Sequence, residues 1–267
     1  MYPFTYQRPT TVKDAVALLA KNSEAKVLAG GHSLIPVMKL RLASPNMLID
    51  LSRIAELSGI RIDGGAVTIG ATTTHDAVAN SQELRAAMPA LADVPASIGD
   101  PHVRLTGTIG GSVANNDPNA DYPAACLGLG ATIITSKRRI GADDYFRGMF
   151  ETALEPDEII TAVSFPVTKT ANYQKFKHPA SGFALIGVFV AKIGGAVRVA
   201  VTGAGANGVF RVQSFEQALA RDFSPKAIET IKVPEDGLNS DIHAGADYRA
   251  HMIGVLARRA VAAAAKG

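Results

Sequence analysis

The sequence predicts an α+β protein in which a longer, two-part α/β region is followed by a smaller α+β region with a three-stranded antiparallel sheet and helices. Short apolar runs alternate with segments of helical periodicity up to about residue 167, as in α/β units. Beyond residue 172, two long apolar runs flank a Gly-Gly pair and precede helical segments. We therefore expect domains at 1–167 and 173–267, the first divided into subdomains of about 1–55 and 56–167.

The first subdomain is expected to follow the order β-α-β-α-β. Thr11 is placed to cap a helix, with Asp14 at the capping-box position and apolar residues following at helical spacing. A short strand at 26–28 leads into a glycine motif, and a second helix is expected at 34–42. A buried strand at 47–51 completes this part.

The second subdomain mixes short strands and helices. We expect strands at 67–69, 131–135 and 158–165, helices at 74–81, 82–88 and 122–128, and a long irregular stretch at 97–119. A polar stretch without periodicity at 166–172 is typical of a linker.

The last region begins with a hairpin. Gly194-Gly195 suits the positive φ angles of a tight turn between strands at 184–192 and 196–202. Helices are expected at 215–221, 225–231 and 247–264.

The glycine run at 203–208 in this region matches G-x-G-x-x-G, with Asp222 near the acidic position of a dinucleotide fingerprint. Residues 209–212 alternate like a strand where a helix should open, so we interpret the run as a loop.

Composition excludes several classes of function. With Cys126 alone, the chain cannot hold an iron–sulfur cluster or a structural zinc ion by itself, and no metal site is expected. The net charge of +3 is small and the basic residues are scattered, so nucleic acid is not an expected partner. Hydrolase motifs are missing from the sequence; His32 and His75 have suggestive neighbours but no paired carboxylate, so no catalytic residue is expected.

The first glycine motif, at 29–34, lies between a strand and a helix. Consecutive glycines allow a sharp turn and let a ligand approach the peptide N–H groups. A helix N-terminus behind them suits a phosphate or pyrophosphate. The alternative interpretation is an ordinary turn in which Ser33 caps the helix.

The second glycine motif, at 106–112, has the same character and precedes a polar run at 115–121 that is rich in turn-forming residues. Two such turns fit a ligand with two phosphates better than one does. Asp121 precedes an expected helix, and two interpretations stay open: an N-cap, or a hydrogen-bond partner of a ribose hydroxyl.

Together these motifs carry a family resemblance over the whole length of the chain. The matching segments are 4–9, 29–39, 48–51, 107–111, 117–123 and 201–204. The chain resembles the medium, FAD-binding subunit of the molybdenum hydroxylases, in particular the aerobic carbon monoxide dehydrogenase type. The resemblance implies an FAD-binding domain of the vanillyl-alcohol-oxidase (PCMH) type, followed by a carbon monoxide dehydrogenase flavoprotein-like C-terminal domain.

The resemblance also implies a cofactor site. The pyrophosphate would be held by Ala29, Gly30, Gly31, His32, Ser33 and Leu34, and by Thr108, Ile109, Gly110, Gly111 and Ser112. Asp121 matches an acidic residue near the adenosine end, Ile160 an apolar residue near the flavin, and Lys177 a lysine close to the cofactor. Phe183 stands where carbon monoxide dehydrogenase has a tyrosine beside the isoalloxazine, and Ser112 where many members carry asparagine.

Partners follow from the same resemblance: a small subunit with two [2Fe-2S] clusters, a large subunit with the molybdopterin cofactor, and quinone, NAD or oxygen as electron acceptor. The expected location is cytoplasmic, with attachment to the inner membrane face only through the complex.

Two other functions stay open. One is a stand-alone flavin oxidase, in which His32 would be the position for covalent attachment of flavin; the short C-terminal region argues against this function. The other is a cofactor-free assembly protein with the same fold.

Overall fold

Three sheets of three or more strands form the framework in a computed structural model that describes residues 1–266. The N-terminal segment contains β1 (Thr5–Gln7), α1 (Val12–Lys21), β2 (Ala25–Leu28), α2 (Leu34–Lys39) and β3 (Met47–Asp50). β3 lies between β1 and β2 and is parallel to both. The predicted β-α-β-α-β order is confirmed, and the Asp14 N–H donates to the Thr11 hydroxyl at 3.1 Å. α2 is shorter than expected because Arg41 adopts a left-handed φ of 60°, which ends a helix.

The middle segment is built on a five-stranded antiparallel sheet. The strands of this sheet are β4 (Ile60–Asp63), β5 (Ala66–Gly70), β6 (Thr132–Thr135), β7 (Arg139–Gly141) and β10 (Ile160–Pro166). The segment also contains a separate hairpin of β8 (Phe146–Gly148) and β9 (Glu151–Thr152). Its helices are α3 (His75–Asn80), α4 (Gln82–Ala87), α5 (Pro89–Ala96), α6 (Pro101–Thr106), α7 (Ile109–Asn115), α8 (Tyr122–Gly128) and α9 (Ala142–Tyr145). The sheet order is β4-β5-β10-β6-β7, and β8 pairs with β9 alone.

The stretch at 97–119, expected to be irregular, is largely helical, so that prediction is wrong. The Asp100 carboxylate accepts the N–H groups of His102 and Val103 and caps α6, which begins with a proline. The Thr108 hydroxyl caps α7 in the same way. Gly110 and Gly111 therefore lie in the first turn of a helix and do not form a glycine turn like the first motif.

The C-terminal segment has four strands where three were expected. It contains β11 (Ala171–Lys177), β12 (Ala184–Ile193), β13 (Ala196–Thr202), β14 (Phe210–Arg211), α10 (Gln213–Arg221) and α11 (Ala246–Ala264), with a 3₁₀ turn at Pro225–Ile228. The antiparallel order is β11-β12-β13-β14. β14 lies in the run at 209–212 that alternates like a strand, so the strand without a predicted range is β11, which pairs with β12. The glycine run at 203–208 is a loop, as predicted. The linker is shorter than expected, since β10 extends to Pro166 and β11 begins at Ala171.

The C-terminal sheet packs on the middle segment and on its own helices. Phe189 and Ala200 belong to one core with α8, while Val188 and Val199, on the opposite face, belong to another with α11. α8 approaches the sheet closely: a Cβ at Gly128 would lie 2.6 Å from the Phe189 ring. This contact fixes β12 against α8. Within residues 1–266, no helix is both long and apolar enough to cross a membrane.

Candidate functional site

A cavity of about 760 Å³ lies where the three segments meet, within the range of roughly 300–1,000 Å³ that is usual for cofactor sites. Its wall is formed by residues from around 25–34, 98–100, 107–122, 152–160 and 181–183, together with Lys175. The two glycine motifs, 80 residues apart in sequence, face it from neighbouring positions. The site thus draws on every part of the chain.

The first glycine motif presents unpaired backbone donors to this cavity. Among the described residues, the five N–H groups from Gly30 to Leu34 have no hydrogen-bond acceptor. The Gly31 φ of +74° places the backbone in the left-handed region, which turns successive N–H groups toward one side. Consecutive N–H groups arranged in this way form a concave binding place for an anion. Ser33 does not cap α2, so the ordinary-turn interpretation is wrong on that point.

The two glycine motifs touch at Gly30. A Cβ at Gly30 would lie 2.2 Å from the Thr106 carbonyl oxygen and 2.7 Å from the Gly107 Cα, so no side chain fits there. His32 anchors the loop to the same segment, because its Nε2 bonds the Thr106 hydroxyl and lies 3.1 Å from the His102 carbonyl oxygen. The position of the first loop is therefore set by the segment before α7.

In the second motif, the backbone donors are already used by the protein. The N–H groups of Ile109 and Gly110 donate to Thr73 and Ala71 carbonyl oxygens, at 3.1 and 2.9 Å. The Gly111 N–H donates to the Thr108 hydroxyl at 3.1 Å. Gly111 and Ser112 line the cavity, whereas Ile109 is fully buried in the core behind it. To the cavity wall, this motif contributes a surface without long side chains at its glycines, and the hydroxyls of Thr108 and Ser112.

Asp121 does not cap α8, although it occupies the cap position. Its carboxylate accepts a hydrogen bond from the Tyr173 hydroxyl at 2.5 Å and pairs with the Lys175 ammonium at 2.8 Å. Both partners of the ion pair are nearly buried, with 4% of the Lys175 side chain and 5% of the Asp121 side chain exposed. Burial raises the pKa of Asp121 and the Lys175 charge opposes that rise. The pair fixes β11 against the start of α8 at the cavity wall.

The lysine at the cavity is Lys175, which sequence reasoning missed, and the structure does not bring Lys177 to the wall. Lys177 is exposed at the end of β11, where a β-bulge shifts the register between residues 176 and 177. Ile160, nearly buried, does line the cavity. Phe183 stands at its edge with 49% of the residue exposed.

Two further residues that sequence reasoning did not assign to the site also line it. His75, at the start of α3, was noted only for its position after Thr74, and Tyr122 only as the start of a helix. Burial lowers the pKa of His75 from 6.5 to about 4, with a smaller contribution from His32, so the imidazole is uncharged at neutral pH.

No metal site accompanies the cavity: residues 1–266 contain no group of three or more His, Cys, Asp or Glu side chains placed to hold an ion. Cys126 is fully buried, and burial raises the pKa of its thiol. A cavity of this size with an anion-binding loop at one side and an aromatic ring at its edge suits a phosphate-containing aromatic cofactor.

The class of protein is defined by similarity to a sequence family and to characterised relatives. The sequence model of the family "FAD binding domain in molybdopterin dehydrogenase" matches residues 2–168. The carbon monoxide dehydrogenase medium chain of Afipia carboxidovorans is 39% identical over 278 residues, covering 97% of this chain and 95% of the relative. The nicotine 6-hydroxylase medium subunit of Paenarthrobacter nicotinovorans is 34% identical and covers 96% and 95%.

The solved structure of reconstituted carbon monoxide dehydrogenase from Oligotropha carboxidovorans aligns over 100% of both chains, with a TM-score of 0.88 and 38% identity. The chain therefore belongs to the FAD-binding medium subunits of the molybdenum hydroxylases, the family of carbon monoxide dehydrogenase and xanthine dehydrogenase. It is an oxidoreductase subunit, and the cofactor of its family is FAD.

Proposed function

We propose that this chain holds one FAD in the cavity and passes electrons from the [2Fe-2S] clusters of a partner subunit to an external acceptor. The observation that carries the proposal is the row of five unpaired N–H groups from Gly30 to Leu34, beside a cavity of cofactor size. An anion with several acceptor oxygens satisfies such donors, and a pyrophosphate provides them. The close contact of Gly30 with the Thr106 and Gly107 backbone fixes the position of this row beside the second motif.

The residues around the cavity suit the two ends of FAD. We assign the pyrophosphate to the 29–34 loop, with the hydroxyls of Thr108 and Ser112 on the facing wall. Both carboxylate oxygens of Asp121 already have protein partners, Tyr173 and Lys175. We therefore assign Asp121 an indirect role, in which it holds Lys175 in place at the cofactor cavity. Phe183 offers an aromatic face to the isoalloxazine, and Ile160 an apolar contact.

Bound FAD supplies the redox chemistry, accepting electrons one or two at a time. The chain's own contribution is to bind the cofactor, orient its ring and set the charge around it. Lys175 is the buried cation at the cavity, and its charge is balanced by Asp121. No proton-transferring residue is assigned, and oxidation of the reducing substrate is assigned to another subunit.

The partners we propose are a small subunit with two [2Fe-2S] clusters and a molybdopterin-binding large subunit. The relatives support this assignment, because their names identify them as medium chains or subunits. Those names also differ in substrate, carbon monoxide against nicotine, so the substrate of this complex is not set by this chain. The acceptor is proposed to be quinone, NAD or oxygen, and Phe183 in place of tyrosine leaves the choice among them open.

Purification of the full chain, alone and with the subunits that co-purify, tests the proposal. We expect a yellow protein with about one FAD released per chain on denaturation, and no oxidation of carbon monoxide or aldehydes by the chain alone. Absence of flavin from both preparations after incubation with FAD would contradict the proposal. When flavin is present, the co-purifying large subunit and the compound that it oxidises identify the substrate of the complex.

A further inference from the structure

Two polar side chains on the cavity wall lack a protein partner. Within residues 1–266, neither the His75 Nδ1 nor the Tyr122 hydroxyl forms a hydrogen bond, and both atoms are buried. Only 5% of His75 is exposed, and Tyr122 is fully buried. Their rings lie 5.4 Å apart, inclined at 34°. Buried polar groups are almost always paired in folded proteins, so two adjacent exceptions at a cofactor cavity call for an explanation.

The two groups complement each other chemically. Because burial lowers the pKa of His75 to about 4, the ring is neutral and has one N–H donor and one acceptor nitrogen. Burial raises the pKa of Tyr122 well above its usual value, so its hydroxyl keeps its proton and is a donor. The Tyr122 hydroxyl can therefore donate a hydrogen bond, and the His75 Nδ1 on the neighbouring ring can accept one. Pairing at Nδ1 leaves the imidazole proton on Nε2.

The other ring nitrogen faces the second glycine motif. A Cβ at Gly107 would lie 2.8 Å from the His75 Nε2, so this nitrogen packs directly on the backbone of Gly107. Gly107 and His75 both line the cavity. The backbone N–H of His75 donates to the Gly107 carbonyl oxygen at 2.9 Å, which fixes the start of α3 to the same residue. The imidazole is thus held next to the segment that supports the Gly30 loop.

We propose that Tyr122 holds the His75 imidazole in the tautomer with its proton on Nε2, and that this N–H binds an acceptor oxygen of FAD beside Gly107. The inference rests on the proposed function, since it requires FAD in this cavity. His75 would then contact the cofactor, and Tyr122 would be a positioning residue. Acceptor oxygens occur both in the pyrophosphate and in the ribityl chain of FAD, and the choice between them is a matter for experiment.

A matched control is available in Tyr145. This tyrosine is also fully buried, but its hydroxyl donates to the Val113 carbonyl oxygen at 3.4 Å and it does not line the cavity. Removing the Tyr145 hydroxyl takes away a group that is already paired without cofactor. The Tyr122 hydroxyl has no partner among the described residues, and the proposed pair with His75 forms when FAD is bound. The two Tyr→Phe variants should therefore differ in the direction of their effects.

The experiment titrates FAD into the flavin-depleted full chain, in the assembly in which the wild type binds FAD, and measures the Kd and the flavin-free Tm. We expect Tyr122→Phe to raise the Kd about 5-fold or more while leaving the Tm unchanged or higher. Tyr145→Phe should lower the Tm and leave the Kd unchanged. His75→Gln, which keeps a donor near Nε2, should stay within about 3-fold of wild type, and His75→Asn, which does not, should raise the Kd about 10-fold or more.

The same titration with ADP identifies the oxygen. An equal loss of ADP affinity in His75→Asn assigns the pyrophosphate, and a loss confined to FAD assigns the ribityl chain. Wild-type affinity for FAD in both Tyr122→Phe and His75→Asn would overturn the inference while leaving the proposed function intact. Failure of the wild-type protein to bind FAD would instead refute the proposed function.

Discussion

Replacement of Gly30 by alanine tests the contact on which the cofactor site depends. The new Cβ would lie 2.2 Å from the Thr106 carbonyl oxygen and 2.8 Å from its carbonyl carbon. These atoms belong to the backbone and cannot rotate away, so either the 29–34 loop or the segment before α7 has to move. Overpacking of this kind costs about 1–3 kcal/mol, and the backbone contact places Gly30→Ala at about 3 kcal/mol or more. That loss corresponds to a fall in Tm of roughly 6–12 °C.

The cofactor should be affected more strongly than stability. If the displaced loop loses two of its N–H contacts to the pyrophosphate, each worth about 1.5–3 kcal/mol to a charged acceptor, FAD affinity falls at least about 100-fold. Flavin fluorescence titration and thermal unfolding measure the two effects. Gly141→Ala is the control, because the Gly141 φ is −65° and the nearest atom to its added Cβ is 3.9 Å away. Wild-type FAD affinity and Tm in Gly30→Ala would refute this reasoning.

Two more predictions concern buried charges. Asp121→Asn leaves the Lys175 ammonium buried without its partner, so we expect the unfolding free energy to fall by about 3–5 kcal/mol. The double variant Asp121→Asn with Lys175→Met should recover part of that loss, because the unpaired charge is removed as well. An unchanged Tm in Asp121→Asn would contradict this prediction. Although burial opposes it, hydrogen bonds from Arg138 and Thr135 lower the pKa of Glu158 from 4.5 to about 2. Since this pKa is lower in the folded state, stability of at most about 3 kcal/mol is present above pH ~5 and lost as pH falls toward 2; Glu158→Gln should flatten that part of the pH–stability curve.

Sequence patterns predicted the elements whose signals are local. The Thr11 cap, the helix at 122–128 and the Gly194-Gly195 hairpin depend on residues next to one another, and each is confirmed. α6 and α7 were missed because proline and glycine lie in or near their first turns. At those positions proline is tolerated, and cap bonds from Asp100 and Thr108 offset the low helix propensity of glycine.

The site was predictable in its glycine motifs and not in its polar contacts. Most of the residues expected at the cofactor do line the cavity, but the family match pointed to Lys177 and the structure brings Lys175 there. Two lysines two residues apart lie on the same face of a regular strand, and only the bulge at the end of β11 separates them. The pairing of Lys175 with Asp121, 54 residues earlier, is a tertiary contact without a local signal.

Amide hydrogen exchange in the 30–34 loop tests the central claim most directly. These N–H groups are unpaired without cofactor, so they should exchange rapidly in the flavin-free chain and become strongly protected when FAD binds. The N–H groups at 109–111 are already paired and should change much less. Protection confined to residues 30–34 and their surroundings is the predicted result. Rapid exchange of this loop while FAD is bound would contradict the assignment of the pyrophosphate to it.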